Sequence, residues 1–148
     1  MWKKTVVVLL TSTLLAPLTW ANDPVATRQA EFKKILRAFE PMGMMIRGAK
    51  PYQAQPFQQH ALALLNSHNT PWQYFPPGSD RGKTRAKAEI WTQAADFQAE
   101  QQLFSSRVKA LHQATTAQAD LATLRARYGE VAQSCKSCHD SFRSKVLP

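Results

Sequence analysis

Two apolar stripes in the second half of the chain constrain its fold more than any other feature. Ile90, Ala94, Phe97, Gln101, Phe104, Val108 and Leu111 recur in alternating steps of four and three residues. Leu121, Leu124, Tyr128, Val131, Cys135, Cys138 and Phe142 repeat the pattern. Residues so spaced line one side of a helix, and a stripe of this width is the seam of a left-handed helical bundle. Two such helices cannot bury their stripes alone, so the chain must supply further helices to close the core.

The first half supplies them. Asp23-Pro24 reads as an N-cap followed by proline at the first helical position. An apolar face then runs through Phe32, Ile35 or Leu36, Phe39, Met42 and Ile46, and Gly48 ends it. Pro41 inside this run predicts a kink or a locally loosened turn. A second helix is expected over Gln55 to His68, with Phe57, Ala61, Leu64 and Leu65 inward. Asn69 to Lys83 holds three prolines and two glycines. It reads as a long loop that covers or binds something, and its Trp72, Tyr74 and Phe75 suit either that role or ordinary core packing. With little that reads as strand, the fold class is all-α, an antiparallel left-handed four-helix bundle.

The N-terminal segment stands apart. A short basic head, Met1-Trp2-Lys3-Lys4, precedes an apolar stretch from Thr5 to Leu18 broken by Pro17, then Thr19-Trp20-Ala21. The stretch is short for a membrane span and has the small residues that a signal peptidase reads. Residues 1–21 are therefore expected to be a cleaved secretory signal peptide and residues 22–148 a single domain in the periplasm, with no membrane span. The formal charge of +9, two of it in the leader, favours acidic partners or anionic surfaces by long-range steering. Nucleic acid is not an expected partner of an exported chain without a binding motif.

The only two cysteines stand in Cys135-Lys136-Ser137-Cys138-His139. Cysteines three apart lie on one side of a helical turn, where both thiols can meet the vinyl edge of a single flat porphyrin. The adjacent histidine then reaches the iron, and C-x-x-C-H is the attachment signature of c-type haem. A structural zinc site wants four ligands and usually a second paired motif. A thioredoxin-like pair wants a strand–helix context, and a plain disulfide has no use for the histidine. Because Cys135 and Cys138 occupy seam positions, the group they hold belongs inside the bundle.

On these residues the chain resembles the cytochromes c′, four-helix bundles with the haem motif near the C-terminus. The resemblance covers residues 22–148. It is carried by Arg28-Gln29, Pro71-Trp72, Glu89-Ile90-Trp91 and the run from Cys135 to Arg143. It implies one covalently attached haem c per chain, with His139 as the sole protein ligand to iron. It implies Arg28 and Gln29 as partners of the haem propionates, although a plain surface role suits both residues too. Four residues beyond Arg28, Phe32 would lie over the opposite side of the iron as a lid that has no lone pair to donate. The resemblance sets Arg143, one helical turn after His139, beside the proximal pocket; the bland reading is a cation that complements the helix dipole.

The expected function is gas binding, of NO and CO, by five-coordinate high-spin iron, with electron transfer to an unknown redox partner as a further role. The alternative is a six-coordinate low-spin electron carrier of the same architecture. Enzymatic activity such as a peroxidase's is not expected, because Phe32 is no acid or base. Met42, Met44 and Met45 lie about 15 Å along the helix from Phe32, and His60, His68 and His112 read as surface or capping residues. A homodimer through the first two helices is implied, with Met44, Met45 and Tyr52 available to it.

Overall fold

The computed structural model describes residues 23–146; the expected signal peptide lies outside them. Helix α1 spans Pro24–Ile46, α2 Ala54–Ser67, α3 Glu89–Thr92, α4 Ala94–Thr116 and α5 Leu121–Phe142, with a 3-10 turn at Thr70–Tyr74. The long helices α1, α2, α4 and α5 form the bundle. The only strand-like pairing among the described residues is one antiparallel bridge between Ala86 and Arg143.

Local chemistry sets the helix ends. The Asp23 carboxylate accepts the Val25 N–H at 2.9 Å, and Pro24 fills the first helical position, where no N–H is required. Asp120 caps α5 in the same way, accepting the Thr123 N–H at 2.7 Å. Gly48 takes φ of 73°, the left-handed conformation that stops α1.

Two features bear on helix continuity. Helix α1 is helical straight through Pro41: the buried Ala38, Met42, Met45 and Ile46 around it anchor both sides of the missing hydrogen bond in the core. The third stripe is instead broken, because Gln93 leaves helical geometry at φ −121°, ψ 50° and separates α3 from α4. Ala94, expected on the seam, consequently starts α4 exposed to solvent.

The core falls into two clusters. The larger runs along the bundle through Ile35, Met42, Phe57, Leu64, Phe104, Val108, Leu111, Leu124 and Val131. The smaller joins Ile90, Phe97 and Phe142 at the α3 end. Trp72 packs against both. In the first helix it is Ile35, not Leu36, that faces inward.

The antiparallel crossing of α1 and α5 fixes the register that matters most. Phe39 stacks on Tyr128 with ring centroids 4.2 Å apart and planes 5° from parallel. The Arg125 guanidinium donates to the Ile46 carbonyl at 3.4 Å. A Cβ on Gly43 would stand 2.2 Å from the Tyr128 hydroxyl oxygen, so only glycine permits this approach. Continued along the pair at about 1.5 Å per residue, the register brings Phe32 level with Cys135 to His139.

Candidate haem-binding site

The motif occupies the last two turns of α5. Cys135 packs against the larger cluster and Cys138 against the smaller, so the two thiols straddle the junction at which Trp72 sits. Neither cysteine is in a disulfide. Burial pushes the Cys135 thiol up to about 11. It pushes Cys138 up to about 12, with the Glu100 carboxylate and Cys135 adding to the effect. Both are neutral thiols rather than reactive thiolates in the folded chain.

His139 follows on the exposed side of α5. The protein mass around its ring holds its pKa below the ordinary value, the Arg85 charge lowers it further, and Asp140 opposes them. The neutral imidazole so favoured is the form that ligates metal. Ser137, between the cysteines, donates to the half-buried Glu100 at 2.8 Å, and Lys136 pairs with Asp140 one turn on.

Across from the motif, α1 presents Arg28, Gln29 and Phe32. Phe32 is half-buried and meets Trp72 edge-on at 5.4 Å and Phe75 at 6.4 Å. Trp72 in turn stands perpendicular to Phe97 and Phe104, and Phe97 meets Phe142 at 5.2 Å. One aromatic wall thus runs from α1 through the loop to the end of α5. Of the two readings open for the loop aromatics, core packing is the one seen: Trp72 packs against both clusters and Phe75 against the smaller.

Arg28 departs from the expected propionate role. It is 3% exposed. One guanidinium nitrogen donates to the Tyr74 carbonyl at 3.0 Å and the Ser79 hydroxyl at 2.8 Å. The other donates to the Ser79 carbonyl at 2.5 Å and the Thr84 hydroxyl at 2.9 Å. Gln29 donates to the Lys83 carbonyl at 2.9 Å. Both side chains fasten the loop to α1. The Arg28 charge, also 4.6 Å over the Phe75 ring, has no carboxylate within ion-pair distance among the described residues. Burial lowers its pKa, with Asp23 and Asp80 offsetting from a distance.

Arg143 also differs from expectation. It is the C-cap of α5 with extended backbone, φ −124° and ψ 124°, rather than one more helical turn beneath His139. Backbone bonds from Lys87 N–H to the Phe142 carbonyl and from Ser144 N–H to the Arg85 carbonyl draw the chain out of the helix. They bring Arg85 to the motif instead. Arg85 and Glu100 carry no local sequence signal, since each reaches the motif only through long-range packing.

The family model for cytochrome c′ matches residues 23–143. The cytochrome c′ of Alcaligenes xylosoxydans xylosoxydans is 37% identical over 124 residues, covering 84% of this chain and 95% of the relative. The chain belongs to the cytochrome c′ family. Cytochrome c′ from Rubrivivax gelatinosus is 32% identical over 125 residues, 84% of this chain and 96% of that protein. Among solved structures, cytochrome c prime from Shewanella frigidimarina superposes with a TM-score of 0.80 at 33% identity, covering 83% of this chain and 95% of that one. A nitric oxide complex of a point variant from Alcaligenes xylosoxidans gives 0.78 at 36%, covering 84% and 95%.

Cytochromes c′ carry covalently bound haem c, and the residues here fit that group. Two neutral thiols straddle an aromatic junction beside an available imidazole. The Trp72 indole N–H is buried without a hydrogen-bond partner, the one such side-chain atom among the described residues. A group with polar edges entering this junction would satisfy it.

Proposed function

We propose that this chain is an exported cytochrome c′ that holds one haem c through Cys135 and Cys138 and binds small diatomic gases. His139 supplies the single protein ligand to the iron, and Phe32 is the lid on the opposite side. Bound there, haem c supplies an iron that takes NO or CO on its free side. The observation that carries the reading is Phe32 itself, an apolar ring wedged against Trp72 and Phe75 at the register of the motif.

Phe32 offers no lone pair and no hydrogen-bond donor. It therefore restricts the space to small ligands and favours NO and CO over O₂, whose stable binding gains from a distal donor. The same lack of an acid or base argues against peroxidase chemistry.

Other side chains are committed elsewhere. Met42, Met45 and Ile46 are buried in the larger cluster toward the far end of α1, which withdraws Met45 from the dimer surface. Both His68 ring nitrogens have partners, the Leu65 carbonyl at 2.5 Å and the Ser105 hydroxyl at 3.0 Å. Arg28 and Gln29 hold the loop that carries Trp72 and Phe75. Arg85 and Asp140 set the charge around His139.

We assign the protein to the periplasm on the leader sequence, and a homodimer to α1 and α2. Leu36 on α1 and Leu62 on α2 are large apolar side chains left about half exposed, which suits that assignment. The positive charge favours an acidic redox partner.

The test is an absorption spectrum of the holoprotein together with CO titration of Phe32→Ala. A high-spin five-coordinate spectrum is expected, and CO should bind the ferrous variant faster and more tightly. A low-spin ferric spectrum with a methionine–iron band establishes the six-coordinate electron carrier instead. Unchanged CO binding in Phe32→Ala removes Phe32 from the lid.

A further inference from the structure

Glu100 is placed by the fold beside the turn that carries the two cysteines. It projects from α4, is half-buried, and is held by the Ser137 hydroxyl at 2.8 Å. Ser137 stands between Cys135 and Cys138, so the carboxylate is anchored to the attachment turn itself. The ion pairs among the described residues are Lys34–Glu31, Lys87–Glu89, Arg127–Glu130 and Lys136–Asp140. Glu100 is in none of them. Its charge is answered by a neutral hydroxyl and not by a cation.

The field of this charge reaches the site. Its anchor, Ser137, is the direct chain neighbour of Cys138 and lies two residues from Cys135, so the carboxylate is held at the turn between the two thiols. A negative charge held there disfavours any further negative charge added to the group those thiols hold. Partial burial keeps the effect from being screened as a surface charge would be.

We infer that Glu100 is a fixed negative charge that lowers the reduction potential of this protein. The inference rests on the reading of Cys135, Cys138 and His139 as the haem site. Reduction takes one electron from an external reductant and converts ferric to ferrous iron, with no bond made or broken by Glu100. The carboxylate opposes the arriving negative charge and so favours the ferric state. It acts as a positioning and tuning residue, not a catalytic one.

The experiment is potentiometric titration of the holoprotein and of Glu100→Gln, which preserves shape and the hydrogen bond from Ser137 while removing the charge. Asp96→Asn, one turn earlier on α4 and exposed, is the control. Glu100→Gln is expected to shift the midpoint potential upward, by more than Asp96→Asn, and the shift should survive high salt.

An unmoved potential overturns the inference, even if the variant unfolds more readily, since a purely structural role changes stability alone. A shift no larger than the control's, or one abolished by salt, overturns it too. The spectrum separates this from the functional reading. A covalent five-coordinate haem with an unmoved potential sinks Glu100 alone. A six-coordinate haem with a raised potential sinks the gas-binding reading alone, and the absence of covalent haem sinks both.

Discussion

Gly43→Ala probes the contact that sets the α1–α5 register. The new methyl would lie 2.2 Å from the Tyr128 hydroxyl oxygen, 3.0 Å from Tyr128 Cζ and 2.7 Å from an Arg47 guanidinium nitrogen. Arg47 is the end of a long exposed side chain and moves cheaply. Tyr128 does not, because its ring is buried and stacked flat on Phe39. Relieving the contact needs a shift of roughly 1 Å, placing the cost in the upper part of the 1–3 kcal/mol typical of overpacking, about 2–3 kcal/mol. Replacing a helical glycine by alanine returns about 1 kcal/mol. The net expectation is a loss of about 1–2 kcal/mol, or a Tm lower by roughly 3–10 °C for a domain of this size.

Tyr128→Phe removes the nearest oxygen and leaves Cζ at 3.0 Å, a distance a small adjustment accommodates. In that background Gly43→Ala should become close to neutral, a coupling of about 1–2 kcal/mol. The assay is urea and thermal unfolding of the four holoproteins, each judged by its midpoint and m-value. If Gly43→Ala alone is as stable as the parent, the Tyr128 ring yields freely. The close crossing would then not determine where Phe32 stands.

Two further outcomes are expected. Arg28→Met removes the donors to Tyr74, Ser79 and Thr84 and should cost on the order of 3 kcal/mol. Amide exchange should rise selectively in residues 70–88; a uniform rise across the bundle would refute the clamp, and Arg28→Lys should not restore protection, because it lacks the fork. Burial chiefly, with Lys109 adding to it, lowers the His68 pKa while its Leu65 hydrogen bond opposes. The folded state therefore binds fewer protons than the unfolded one, and this residue's contribution is complete above the unfolded value of about 6.5. It is lost as pH falls from there toward the depressed folded value. Unfolding midpoints should drop more steeply on acidification across that window in the parent than in His68→Gln; parallel profiles would show that His68 does not contribute.

Periodicity alone made the bundle legible. Nearly every inward residue of the larger cluster, from Ile35 to Val131, lies on a stripe read from spacing, because burial of an apolar face is a local pattern repeated along a helix. The break at Gln93 was illegible, since nothing at Gln93 forbids a helix and it is packing around Ile90 and Phe97 that turns the chain there. Pro41 does not end α1, because the buried contacts on either side of it hold the helix together.

The same division runs through the site. Cys135, Cys138 and His139 were evident because a covalent attachment chemistry demands adjacent residues at one spacing. Spacing and residue type were enough for an all-helical chain, its seam and this motif. What surrounds the motif came from packing: the aromatic wall from Phe32 to Phe142, Arg28 spent on the loop, Arg143 drawn out of the helix by the backbone bonds of Arg85 and Lys87, Arg85 near His139, and Glu100 on Ser137. Each of those depends on segments tens of residues apart meeting in space. No local propensity encodes such a meeting, because it is settled by the register in which whole helices pack.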